Sequence, residues 1–216
     1  MLDAERSHRL GMGLLSQLQS YPGLLLAATQ RTRVDDVRLS QTILGLTFEN
    51  PVGLAAGFDK NAEVLQAWGG LGFGFVEVGT VTPKAQSGNP KPRLFRIPEE
   101  GAIQNAMGFN NDGMESMRER IEVDYPLSFP LGVNLGKNKD TPMENALEDY
   151  FTLIPVLDDV CDYFVLNLSS PNTPGLRGLA VGGGVGVAAA GAAAAAWSWG
   201  VLPASAPARA SLPPRR

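Results

Sequence analysis

One cysteine, Cys161, and one histidine, His8, are all that this 216-residue chain holds of two residue types that often carry metal and redox chemistry. A lone cysteine excludes an intrachain disulfide framework, and with a lone histidine it excludes a Cys/His zinc site. Acidic residues stop at Asp162, and from Gly178 to Ala208 there is no charge of either sign. Net charge is −4 and no basic stripe is present, which argues against a nucleic-acid partner. No long apolar run opens the chain: Asp3, Glu5, Arg6 and Arg9 interrupt it, so no secretory signal is expected.

What is present is ordinary for a soluble globular chain, with 44% hydrophobic and 19% charged residues, enough for one domain with a sizeable core. That average hides an asymmetry. Val181–Ala196 is a low-complexity Gly/Ala/Val stretch, and Pro203–Arg216 is a Pro/Ala/Arg tail that cannot bury enough apolar surface to order itself.

Leu10, Leu14, Leu15 and Leu18 fall at helical spacing, which predicts a helix from Asp3 to Gln19, interrupted at Tyr21-Pro22. Gly23–Thr29 predicts a second short helix. The two can pack on a following domain or lie in a membrane interface; periodicity alone leaves both open. Thr42–Phe48 alternates around a glycine and predicts a hairpin. Four units then repeat one design: an apolar strand, a polar or Gly-rich loop and, usually, a helix. The strands are Pro51–Ala56, Gly74–Val78, Leu131–Asn134 and Tyr163–Asn167. The helices are expected near Ala62–Trp68, Gly113–Ile121 and Pro142–Leu157, with an extra strand at Pro92–Arg96. Such alternation predicts a parallel α/β sheet, and apolar runs suit strands covered on both faces.

Function in such sheets collects at the carboxyl ends of the strands. Lys60, Thr80, Asn134, Asn167 and Ser170 stand there and would line one mouth of a barrel. They include no histidine, no carboxylate pair and no metal-ligand cluster. Amides, hydroxyls, a lysine and permissive glycines suit a flat polar ring such as a flavin, where the cofactor carries the redox chemistry. Gly184–Ala189 fits a dinucleotide fingerprint formally, yet no long strand precedes it and no acidic residue follows. Gly132–Lys137 lacks the ending of a phosphate loop. Cys161 is expected to be a small core hydrophobe, and His8 to be on the surface or packed.

Six blocks, in order, resemble quinone-dependent dihydroorotate dehydrogenases: Asn50–Lys60, Glu77–Pro83, Lys91–Arg96, Asn105–Asn111, Gly132–Pro142 and Asn167–Arg177, and the resemblance spans residues 2–179. It implies an FMN-containing (β/α)8 TIM barrel that oxidises dihydroorotate to orotate in pyrimidine synthesis, behind a small N-terminal helical segment. On that mapping Ala56, Gly57, Phe58, Asp59, Lys60, Thr80, Asn134 and Asn167 touch FMN. Lys60, Asn105, Ala106, Met107, Gly108, Phe109, Asn167 and Asn172 hold the substrate, and Ser170 is the base. The soluble class of the family has cysteine at the position of Ser170, so the quinone class is favoured. That class implies a membrane quinone as partner, N-terminal helices facing a membrane surface, no metal, and peripheral attachment, at the cytoplasmic face of the cell membrane in a bacterium.

The expected organisation is a membrane- and quinone-facing extension at 1–38, a partial FMN-binding barrel of four βα units at 39–179, and a disordered tail at 180–216. The resemblance implies a second half-barrel that brings another lysine, a threonine and the glycine-rich loops for the FMN phosphate. Gly178–Arg216 holds no counterpart, so the switch in composition reads as a frameshift or sequencing error, ahead of a genuine spliced or evolved tail. A chain made as written is then expected to be truncated, to fold poorly and to be inactive. Two rivals are a non-catalytic half-barrel that pairs with another half, and a membrane span at Ala180–Leu202.

Overall fold

The computed structural model describes residues 3–168 and 170; Asn172, the loop after Ser170 and the tail at 180–216 lie outside the described residues. The chain opens with helix α1 (Ala4–Gln19), whose N-cap Asp3 accepts a hydrogen bond from the Arg6 amide at 3.0 Å. Helix α2 (Pro22–Thr32) starts on a proline, which costs no bond at a helix's first position. None of its residues is buried, and α1 buries only Ala4, Glu5 and Met12. Both expected helices are present, and α2 runs three residues past Thr29.

The hairpin is formed by β1 (Gln41–Ile43) and β2 (Leu46–Phe48), antiparallel around Leu44 and Gly45, both with positive φ as a tight hairpin turn requires. The central sheet has four parallel strands in chain order: β3 (Gly53–Leu54), β4 (Phe75–Val81), β7 (Leu131–Leu135) and β8 (Tyr163–Leu166). Helices α3 (Leu65–Gly70), α4 (Met114–Asp124) and α5 (Ala146–Leu157) connect them, with α3 beside α4 and α4 beside α5. Parallel strands in sequential order, with neighbouring helices as crossovers, make the arc of a βα barrel. The second connection also carries β5 (Leu94–Ile97) and β6 (Ala102–Asn105), a separate antiparallel pair.

Strand alternation sorts the side chains onto two faces. Val76, Val78, Leu131, Val133 and Leu135 are fully buried and join Met117, Ile121, Leu153 and Leu157 of the helices in one core. The registered partners Gly132 and Tyr163 share the opposite, inner face, where a Cβ on Gly132 would strike the Tyr163 ring. Gly53 meets the Phe75 ring in the same way. Small beside large is how the inside of a barrel is filled.

Four departures from the pattern-based elements have a physical reason in the structure. Strand β3 keeps two residues, because Pro51 has no amide for a ladder and Gly57 turns the chain away at φ +102°. Strand β4 runs on to Val81, so Thr80 lies within the strand instead of the loop beyond it. Helix α3 starts at Leu65, not Ala62, since the Asp59 carboxylate captures the amides of Glu63 and Val64 first. The fourth difference is β6: its Ala-Ile-Gln-Asn sequence carries no strand pattern, and only pairing with β5 makes it one.

Candidate functional site

At the carboxyl end of β4 the parallel register shifts between Gly79 and Val81. A bulge beside a site re-aims a side chain. Here it turns Thr80 toward the inner face, where its hydroxyl donates to Asn134 Oδ1 at 2.5 Å. Only glycine suits position 79: its φ is +102°, and a Cβ would lie 2.6 Å from the Asn134 carbonyl oxygen. Gly79 also stitches the first loop in place, since Gly57 N–H donates to its carbonyl at 2.8 Å and its own N–H donates to Asp59 O at 3.1 Å.

Asn134 on β7 and Asn167 just past β8 complete a polar network. Asn167 Nδ2 donates to Thr80 Oγ1 and to Asn134 Oδ1, each at 3.1 Å, and Asn134 Nδ2 donates to Glu77 Oε1 at 2.7 Å. The Tyr150 hydroxyl on α5 donates to the Asn167 carbonyl at 3.1 Å, which ties that strand end to the helix layer.

Above this network lies a cavity of about 270 Å³. Ala56, Gly57, Lys60, Thr80, Asn105, Met107, Gly108, Phe109, Asn167 and Ser170 line it. These residues come from strand ends, from the loop after β3 and from the segment after β6. Gln86 holds that last segment over the mouth: its Nε2 donates to the carbonyls of Gly108 and Phe109, at 3.2 and 3.0 Å. Burial pulls the Lys60 ammonium below its ordinary value, reinforced by the nearby Arg93 guanidinium and opposed by Glu5. An anion placed beside it would return that cost.

Four expected site residues stand elsewhere. Asn134 lies beneath the cavity, as the hub of the network. The Asp59 carboxylate is fully buried and turned to α3, accepting from Glu63 N (2.8 Å), Val64 N (3.1 Å) and Trp68 Nε1 (3.0 Å). Phe58 points toward α1, its ring edge-on to both His8 and Trp68, while His8 Nε2–H donates to its carbonyl at 2.7 Å. Ala106 is bonded through its backbone to Asn89 and Arg93. His8 is therefore a packing residue between α1 and the first loop. Asn172 lies outside the described residues.

Pattern reading passed over Glu77. It sits between Val76 and Val78, where an acid in an apolar strand marks an inner-face position with a polar partner. Cys161 is buried, and burial pushes its thiol well above the ordinary range, which makes it inert. Among the described residues no group of His, Cys, Asp and Glu comes together that could hold a metal ion.

A family model described as dihydroorotate dehydrogenase matches residues 38–198. The chain belongs to the dihydroorotate dehydrogenase family. The match runs past residue 179, where the composition changes. A curated relative from a Nitratiruptor species, named dihydroorotate dehydrogenase (quinone), is 54% identical over 177 residues, covering 82% of this chain and 50% of its own length. One of the same name from Thermus thermophilus is 52% identical over 183 residues, covering 84% and 53%. The crystal structure of DHODH in complex with ferulenol from Eimeria tenella superposes with a TM-score of 0.79 at 42% identity, covering 91% of this chain and 52% of that one. The chain thus spans about half the length of the curated dihydroorotate dehydrogenases it matches. Its fold is α/β, part of a TIM barrel behind N-terminal helices.

Proposed function

We propose that these residues form the dihydroorotate and flavin mouth of a quinone-dependent dihydroorotate dehydrogenase, an oxidoreductase of pyrimidine synthesis. One observation carries the reading: Lys60, Thr80, Asn105, Asn167 and Ser170, far apart in sequence, line one 270 Å³ cavity at the carboxyl ends of the strands. The donor set fits a flat polar ring, and Gly57 has nothing within 4 Å of the place its Cβ would take, so a ring can approach the backbone there. FMN, when bound, supplies the acceptor for a hydride. Ala56, Gly57, Lys60, Thr80 and Asn167 would hold it, with Asn134 behind them. Lys60 balances the carboxylate of dihydroorotate, and Asn105 and Asn167 orient the ring through its amide edges. Ser170 Oγ takes the proton from the ring carbon next to the one that loses hydride. A serine needs a dry, oriented site for this, and Ser170 is buried.

The acceptor side of the reading is a membrane quinone reached through α1 and α2, at the surface of a membrane. What supports it is apolar exposure on those helices: Leu10, Leu14, Leu24 and Leu26 are 57–72% exposed. Among the described residues no helix is long and apolar enough to cross a membrane. We read the attachment as peripheral, through the exposed leucines of these helices.

Titrating the purified chain with FMN, and separately with orotate, tests the site. Saturable quenching of flavin fluorescence is expected. The substitution Lys60→Met should weaken orotate binding by about 10- to 100-fold, the scale of one charged hydrogen bond. Orotate binding unchanged by Lys60→Met would overturn the assignment of that residue.

A second reading rests on the sheet edges. Among the described residues β3 and β8 each pair on one side only. Such edges can pair with another chain, so a half-barrel serving as an assembly module would run as a dimer in gel filtration and regain flavin absorbance on dimerising.

A further inference from the structure

Where the segment after β6 reaches the cavity, it pairs with the stretch that follows Ala85. Gln86 and Asn111 exchange both backbone hydrogen bonds, at 2.9 and 3.0 Å, and Asn89 N–H donates to the Met107 carbonyl at 2.9 Å. Between those rungs stand Ser87 and Gly88 on one side, and Gly108, Phe109 and Asn110 on the other. The extra residue makes a bulge. Gly108 and Phe109 absorb it with φ +73° and +53°. The first suits glycine; the second is left-handed backbone that a bulky residue rarely adopts. Both residues line the cavity, and the buried Phe109 ring lies over Gly136, where a Cβ would come within 3.1 Å of it.

A bulge leaves backbone groups outside the ladder, and they must be met elsewhere. The Gln86 side chain meets two of them, since its Nε2 donates to Gly108 O and Phe109 O. Asn111 Nδ2 adds a second bond to Phe109 O at 2.7 Å. The far end of the Gln86 amide accepts from Asn138 Nδ2 and from Lys139 N–H, each at 2.9 Å. The amide cannot be turned over: a backbone N–H only donates, and backbone carbonyls only accept. Gln86 is half-buried and forms no part of the cavity wall, yet it ties the bulge to the loop after β7. A left-handed Phe persists only where its surroundings over-determine it.

We infer that Gln86 is a positioning residue: by holding the carbonyls of Gly108 and Phe109 it keeps Phe109 left-handed and sets the substrate-side wall of the cavity. The bulge follows Asn105, whereas Ala56, Gly57, Thr80 and Asn167 make the flavin side. The ligand half of the inference rests on the ring-binding reading, but the backbone half can be measured without any ligand. In the 15N-labelled full chain, Phe109 should give a strong nuclear Overhauser cross-peak between its own amide and α protons, the mark of positive φ. A cross-peak no stronger than that of Asn110 would overturn the inference.

Two variants separate the ends of the amide. Gln86→Glu keeps an acceptor for Asn138 and Lys139 and sets a second oxygen against the two carbonyls; Gln86→Met removes both ends at similar size. In each, the Phe109 cross-peak should weaken and orotate affinity should fall about tenfold, the scale of one or two hydrogen bonds, while FMN affinity stays within about twofold. Should Gln86→Met fail to fold, Gln86→Glu decides alone. A purely structural role would leave the Phe109 cross-peak intact, or would weaken FMN and orotate together, and either result overturns the inference. Weakened cross-peaks in the variants, with no binding of orotate or FMN to any chain, would instead sink the ring-binding reading and leave the hold of Gln86 on Phe109 standing.

Discussion

Asp59 and Lys60 are adjacent in sequence and do opposite work. The aspartate carboxylate is fully buried and accepts three donors from the start and the first turn of α3, while the lysine lines the cavity. Removing the aspartate leaves the buried Val64 amide, the part-buried Glu63 amide and the Trp68 indole N–H without this acceptor. Asp59→Ala should therefore cost about 2–4 kcal/mol in chemical denaturation, larger than a surface change. A cost under about 0.5 kcal/mol, the range of surface substitutions, would show that α3 does not depend on this carboxylate. The Gly-Phe-Asp-Lys sequence marks a loop at a strand end, but nothing in it separates the residue that holds the helix from those that face the mouth. That division follows from where Trp68 and the Val64 amide lie once α3 has packed.

Two elements control how the site is presented. The first is the bulge in β4. Gly79→Ala would put a Cβ against the Asn134 carbonyl at a φ that side chains rarely adopt, and should destabilise by about 1–3 kcal/mol. Because the bulge aims Thr80, flavin quenching by this variant should fall by more than its stability loss explains; quenching equal to that of the unmutated chain would detach the bulge from the site. The second is the anchor of α1. Glu5 is paired with Lys91 at 3.0 Å and with the buried Arg93 at 2.9 Å, and Arg96 Nη2 donates to Ser7 Oγ at 2.9 Å. The hydrogen bond from Arg93 does most to hold the Glu5 carboxyl down to about 2, from 4.5, with Lys91 adding to it and burial opposing. A carboxyl lowered on folding stabilises above its unfolded value and loses that contribution as pH falls through its folded value. Docking of α1 should thus weaken between pH 4.5 and about 2. Following unfolding against pH, Glu5→Gln should flatten the acid limb in that window; an unchanged limb would place the acid sensitivity elsewhere.

At the scale of the molecule, the N-terminal helices carry exposed leucines: Leu10 and Leu14 on α1, Leu24 and Leu26 on α2. Leu14 is 72% exposed and Leu26 60%, while the sheet's outer face is sealed by α3–α5. Co-sedimentation with anionic phospholipid vesicles should be measurable, and Leu14→Ser with Leu26→Ser should lower the partition coefficient by at least about tenfold, from two apolar side chains no longer buried in lipid. Partition unaffected by the pair would remove the helices from the membrane surface. The described sheet is an arc of four parallel strands.

The sequence by itself determined the alternation of strand and helix, the family, the polar residues at the strand ends and the two amphipathic helices. Each of these is written in local periodicity or in short blocks such as Asn50–Lys60 and Asn105–Asn111, which need no partner to be read. It did not determine that Ala102–Asn105 is a strand, that Thr80 turns inward, or that Asn134 lies under the cavity and not in its wall. Nor did it reveal the part played by Glu77. Those depend on pairing across β5–β6, on a register shift against β7 and on hydrogen bonds between residues 57 and 87 positions apart. Non-local pairing decides them because a side chain's direction in a strand changes with every single-residue shift, and no local pattern records where the shift falls.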